Sequence, residues 1–154
     1  MEIRNQTTGQ VLFADEFSRT VCSLPITTEL LAQYGFDPVL EGPQATTTPP
    51  YQYSQRAGIE NIDGVWYTKY IAGPVFTDGE TTAAEQEAAY RAQKDAEQAM
   101  SVRDSRKTKL SECDWTQVAD APVDKTVWAT YRQALRDITT QAGFPWTIGW
   151  PVQP

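Results

Sequence analysis

The densest collection of reactive side chains is "DWTQVADAPVDKTVWATYRQALRD", residues 114–137. It sets Asp114, Asp120, Asp124 and Asp137 beside Arg132 and Arg136, with Trp115, Trp128 and Tyr131 interleaved. Carboxylates among aromatic rings are what glycoside cleavage uses, with two acids roughly 5–10 Å apart across a cleft. Two arginines four residues apart on a helix share a face, and suit the gripping of carboxylates. Aspartates in a turn more simply cap and lock the helix that follows. Nothing in this spacing calls for a cleft, so the expected role is anchoring, and no catalytic residue is assigned.

What is missing narrows the chemistry further. The 154 residues contain no histidine. That removes Ser-His-Asp and Cys-His catalysis and the commonest ligand of a zinc or iron site. Cys22 and Cys113 lie far apart without CxxC spacing; they read as reduced, mostly buried thiols, with one disulfide as the alternative. No metal and no cofactor is expected. A net charge of −7 argues against a general nucleic-acid or anionic-membrane binder. Arg103, Arg106, Lys107 and Lys109 form a local basic cluster that reads as a solvated helix face. No apolar run reaches the ~20 residues of a membrane span, and residues 1–5 show no signal peptide, so a soluble chain is expected.

The elements that must position these residues fall into two regimes. Composition changes near residue 78, from β-formers and turns to alanine- and charge-rich helix, which predicts an α+β fold. The expected division is a β-rich domain over 1–78 and a helical hairpin module over 79–154. In the first, "QVLFADEF" (10–17) is expected to pair with Glu2–Asn5 as a hairpin. "TTELLAQYGF" (27–36) predicts a short helix capped by Thr27 or Thr28 and stopped by Gly35. "EGPQATTTPPY" (41–51) reads as a surface connector, extended at Pro49-Pro50. Asp63-Gly64 predicts a type I′ hairpin over about 59–71. Ile59, Ile62, Val65, Tyr67 and Ile71 set its apolar character, with Trp66, Thr68 and Tyr70 on the opposite face. A hairpin with two apolar faces must be sandwiched in the protein or covered by a partner.

In the second regime a long helix is expected from about Glu80 to Glu112, with a stripe of Ala84, Ala88, Ala92, Ala96, Ala99 and Met100. So thin a face needs a partner: the next helix, another copy, or another protein. The next helix is expected from about Val123 to Gln141, with Asp124 as N-cap and Gly143 as stop. Its bulky face, Val127, Trp128, Tyr131, Ala134, Leu135 and Ile138, suits the small residues of the first in an antiparallel pair. Arg132 and Arg136 are then placed to bridge to Asp114 or Asp120 in the turn, or to a partner's carboxylate. "GFPWTIGWPVQP" (143–154) is expected to be an extended aromatic strap over the pair.

The order of an arginine-spaced helix, "DWTQ", a "DAP" turn, "WATYRQALRDI" and a "GFPW…WP" ending resembles the phage tail assembly chaperone (tail-fibre assembly) family over residues 101–154. The preceding "TTELLAQYGFDPVLEGPQ" and "IDGVWYTKYIAGPVFTD" resemble the regions that accompany this module in tailed-phage proteins. In the resemblance, Trp115, Trp128, Tyr131, Arg132, Leu135, Arg136 and Asp137 match signature positions to which the family assigns no chemistry. Cys113 stands where a small residue such as serine is the family's choice. The resemblance implies a non-enzymatic protein that contacts tail-fibre or baseplate subunits in the host cytoplasm, without nucleic-acid or membrane partners. The expected partner contacts are Trp66, Tyr70, Ala88, Ala92, Ala96, Arg132, Arg136, Trp146 and Trp150, with self-association a further option. Asp114, Trp115, Asp120, Trp128, Tyr131 and Leu135 are expected to hold the module's shape. Two rival readings are a permanent component of the virion tail and a glycan-binding or glycan-cleaving module built on Trp66, Trp146, Trp150 and aspartates.

Overall fold

The computed structural model describes residues 1–154, and the fold is mixed α+β. The chain divides into two compact units, Met1–Val75 and Phe76–Pro154.

The first unit contains β1 (Glu2–Asn5), β2 (Val11–Phe13), α1 (Ala14–Thr20), α2 (Thr28–Gln33), β3 (Phe36–Leu40), β4 (Tyr53–Ile62) and β5 (Val65–Gly73). The strands form one sheet in the order β2-β1-β3-β5-β4. All neighbours are antiparallel except β3 and β5, which run parallel with Val39 beside Trp66. Register decides the faces. Ile3, Leu12, Phe36 and Pro38 share one side, and α1 and α2 cover it: Phe17 and Leu31 close a core with Ile3, Cys22 and Phe36. Glu2, Arg4, Phe13, Val39, Trp66, Thr68 and Tyr70 occupy the other side.

Local signals predict much of this unit. Thr27 Oγ1 accepts from the Leu30 N–H, and Gly35 takes φ +73° after α2. Asp63 and Gly64 both have positive φ, the requirement of a type I′ turn. The hairpin runs farther than expected, over Tyr53–Gly73, with a bulge between Arg56 and Ile59. In its register Ile59 opposes Thr68 and so shares the Trp66 face, not that of Ile62 and Val65. Two other expectations are corrected. The strand expected over 10–17 stops at Phe13, because Ala14–Thr20 is helix and buries Phe17. Pro49-Pro50 lies in a turn where the Gln52 N–H donates to the Thr48 carbonyl (3.2 Å), instead of running extended.

The second unit holds α3 (Ala83–Glu112), a 3-10 turn at Asp114–Gln117, α4 (Lys125–Arg136), and a 3-10 turn at Asp137–Thr140. α3 starts later than Glu80 because Thr82 and Glu85 form a capping box. Asp124 caps α4 by accepting from the Thr126 and Val127 N–H groups at 2.9 and 3.2 Å. The α-helix ends at Arg136, and Gly143 is not its stop. A Cβ on Gly143 would sit 2.4 Å from the Thr147 carbonyl oxygen, so glycine is there to admit a close backbone approach. The tail is not extended throughout: residues 141–147 form turns, closed by the Thr147 N–H on the Gly143 carbonyl (2.7 Å). The Gln141 side chain then pins Gly149 by donating to its carbonyl and accepting from its N–H. No helix is long and apolar enough to cross a membrane.

Candidate partner-binding surfaces

The 114–137 stretch forms a clasp. Tyr131, Leu135 and Trp128 point from α4 into a core with Cys113, and Leu110, Val123 and Trp150 pack around it. Trp128 meets Tyr131 and the half-exposed Trp115 edge to face, at 5.8 and 5.9 Å. Burial pushes the Tyr131 phenol above its ordinary pKa, with Cys113 and Glu112 adding to the effect.

Arg132 is 9% exposed and reaches back to the end of α3. One terminal nitrogen donates to the Leu110 carbonyl (2.9 Å) and the Cys113 sulfur (3.0 Å), the other to Asp114 Oδ1 (2.8 Å). Burial alone would lower its pKa, but the bonds it donates to Asp114 and Cys113 outweigh it and hold the guanidinium charged. Its Nε has no partner. Of the two aspartates expected to bridge, Asp114 does so, while Asp120 stays exposed in the turn. Lys125 locks the turn instead, donating to the Thr116 (3.0 Å) and Val118 carbonyls. Arg136 shares the helix but not the environment. It is exposed and reaches only Gln133, at 3.4 Å.

The alanine stripe requires a correction. Ala99 is buried, but Ala84, Ala88, Ala92 and Ala96 are exposed and Met100 is 61% exposed. The face that meets α4 is Ala99, Val102, Arg106, Leu110 and Cys113. These positions continue the stripe at threes and fours, so the alanines are the uncovered extension of one packing face. Length explains it: α3 has 30 residues and α4 has 12, about 45 against 18 Å. The tail marks the border, where the Trp146 indole N–H donates to Asp95 at 2.6 Å. Trp150 returns under Lys109 (5.5 Å), and Phe144 lies under Arg103 (5.4 Å).

In the first unit Trp66 and Tyr70 lie on the sheet face opposite α1 and α2. The Arg4 guanidinium stacks 4.1 Å above the Trp66 ring and pairs with Asp37. Tyr70 donates to Glu41 at 2.5 Å, which raises its phenol pKa. Beside them is a hollow of about 430 Å³ walled by the exposed Phe13 and Leu40 and floored by Thr68.

A sugar platform is hard to read into these rings. One face of Trp66 carries Arg4, the Trp146 N–H is engaged by Asp95, and the Asp114 carboxylate serves Arg132. No group of three or more His, Cys, Asp or Glu gathers in metal-binding geometry, and both cysteines are free and buried. Sequence reasoning missed Asp95, Gln141 and the Val102–Cys113 half of the packing face. The last was there to find, in the unbroken 3.6 period beyond Ala96.

No curated protein and no solved structure matches the chain at a significant level. Residues 99–154, the stretch in which α4 and the tail cover α3, match the family model for the phage tail assembly chaperone protein, so this part of the chain is similar to that family's C-terminal module.

Proposed function

We propose that this chain is a non-enzymatic assembly factor or adaptor that binds tail-fibre or baseplate subunits in the host cytoplasm while the phage tail is built. The family match supports a tail-assembly role. The observation that carries the binding role is the packing face of α3, buried at Ala99, Val102 and Cys113, half-buried at Arg106 and Leu110, and exposed at Ala96, Ala92, Ala88 and Ala84. Alanine permits close backbone approach, so a partner helix laid there would extend the packing that α4 begins. Trp146, held at Asp95, would border that contact, whereas Trp150 beside Lys109 and Arg136 beside Arg106 would offer separate contacts at the covered half. Trp66 and Tyr70 offer a second surface beside the 430 Å³ hollow. Burial at such surfaces drives association at roughly 25 cal/mol per Å² before entropic costs.

The test is co-expression with each tail-fibre and baseplate subunit, followed by affinity purification and mass measurement of the complex. Association with at least one, together with absence from purified particles, is expected. A chain that stays alone against every tail subunit contradicts the reading, and stoichiometric presence in particles makes it a structural component instead.

A further inference from the structure

The chain is acidic overall, yet its charges are unevenly satisfied. Of thirteen lysines and arginines, seven form ion pairs: Arg4, Arg19, Arg56, Lys69, Arg91, Lys94 and Arg132. Lys125 is spent on backbone carbonyls. The remaining five are Arg103, Arg106, Lys107, Lys109 and Arg136, all within the family module. Residues 99–154 hold seven basic against six acidic side chains, whereas residues 1–98 hold six against fourteen. In a chain of net charge −7, cations left without carboxylates are the exception, and these five are confined to the end of α3 and the facing end of α4.

Geometry gathers four of them. Arg103, Arg106 and Lys107 line a hollow of about 500 Å³ with Leu110 and the carboxylates Asp104 and Asp114. Arg106 donates to the Arg136 backbone carbonyl at 3.5 Å, which sets the end of α4, and with it the exposed Arg136, beside Arg106 without making it part of the hollow's lining. Arg103 is steadied over Phe144, outside the hollow's lining. The Asp114 carboxylate already belongs to Arg132, leaving Asp104 as the one unengaged acid in the hollow.

From this we infer that Arg103, Arg106, Lys107 and Arg136 form a docking site for an acidic peptide segment of a partner protein. The inference rests on the protein-binding reading above and specifies the partner's chemistry. Arginine forks match carboxylates two bonds at a time, and Leu110 gives the floor an apolar patch for the stems of glutamate side chains. A phosphate chain fits less well: Asp104 and Asp114 interrupt the positive surface, and α3 advances only about 6 Å between residues 103 and 107. That is a footprint for two or three carboxylates, not for a continuous polyanion.

The probe is fluorescein-labelled oligo-glutamate, titrated with the full chain and followed by anisotropy. An excess of negative charge elsewhere repels this probe, so binding reports a local positive site. The full chain should bind it, and weaken as salt rises from about 50 to 300 mM. The variant Arg103→Gln/Lys107→Gln/Arg136→Gln should lose about tenfold or more in affinity, with unchanged thermal unfolding. Arg19→Gln/Lys69→Gln/Arg91→Gln, which changes net charge equally at cations that are already paired, should bind as the parent does. Equal loss in both variants, no loss in the first, no binding by the full chain, or tighter binding of a single-stranded oligonucleotide of equal charge each overturns the site. Co-assembly separates the two levels. If the first variant still joins tail subunits as the parent does, the acidic-segment site falls and the adaptor role stands. If the parent joins none, the adaptor role falls whatever the probe shows.

Discussion

The two halves of α3 share one helix, one face and one spacing, but have opposite fates. From Ala99 to Cys113 the face is closed by α4 and the tail around Trp128, Tyr131 and Leu135. From Ala84 to Ala96 the same face is bare, flanked by the Arg91–Glu87 and Lys94–Glu97 pairs. The first half is where large side chains stabilise the module. The second, made of alanine, has too little apolar area to demand cover and enough smoothness to accept it. A helix held rigid at one end and open at the other is suited to present a surface that its own chain does not use.

The comparison can be broken most severely in the covered half. Leu135 is 0% exposed, so Leu135→Ala should cost about 2–5 kcal/mol, read by chemical denaturation of the full chain. A loss under about 0.5 kcal/mol would mean the α3–α4 core is not what holds the module. Arg132 comes next. Arg132→Ala removes the guanidinium's bonds to the Leu110 carbonyl and the Cys113 sulfur and frees Asp114, for about 1–3 kcal/mol, discounted because Asp114 is largely solvated. Arg136→Ala should stay within about 0.5 kcal/mol, since it reaches only Gln133. Removing the α4 cap with Asp124→Ala should cost about 1 kcal/mol on the same assay.

The smallest effect belongs to the open half and to pH. Glu85 is held below its ordinary value of 4.5 by the Thr82 backbone N–H, then by the Thr82 hydroxyl. Its capping contribution is therefore complete above that ordinary value and lost as pH falls through the depressed one. Protection of the first-turn amides of α3, taken as exchange relative to the intrinsic rate at each pH, should fall below that window while protection around Val102 does not. Equal loss of protection at both would show that the two halves do not behave separately.

Sequence reading succeeded where a few neighbouring residues decide the outcome. Thr27 with Gly35, Asp63 with Gly64, and Asp124 with the Trp128–Ile138 stripe each carry a complete local instruction. It failed where distant parts decide. α1 has Phe13 at its cap position with no side-chain bond to announce it, and it exists because Phe17 reaches the Ile3–Phe36 core. β3 contains Pro38 and pairs in parallel with β5, which no short window encodes. Arg132 and Arg136 read as equivalent by spacing, and only the approach of Leu110, Cys113 and Asp114 to one of them separates the two. The alanine stripe was visible, but its coverage depends on the length of the helix that packs on it.

The most direct test of that face is the double variant Ala88→Arg/Ala92→Arg, assayed for complex formation with the tail subunit that the parent chain captures. Both alanines are exposed, so the unfolding midpoint should move by no more than about 0.5 kcal/mol equivalent. Affinity should fall at least about a hundredfold, because two arginines cannot enter a close helix–helix contact. An unchanged affinity in a folded variant would contradict the claim that the open half of α3 is the surface other subunits grip.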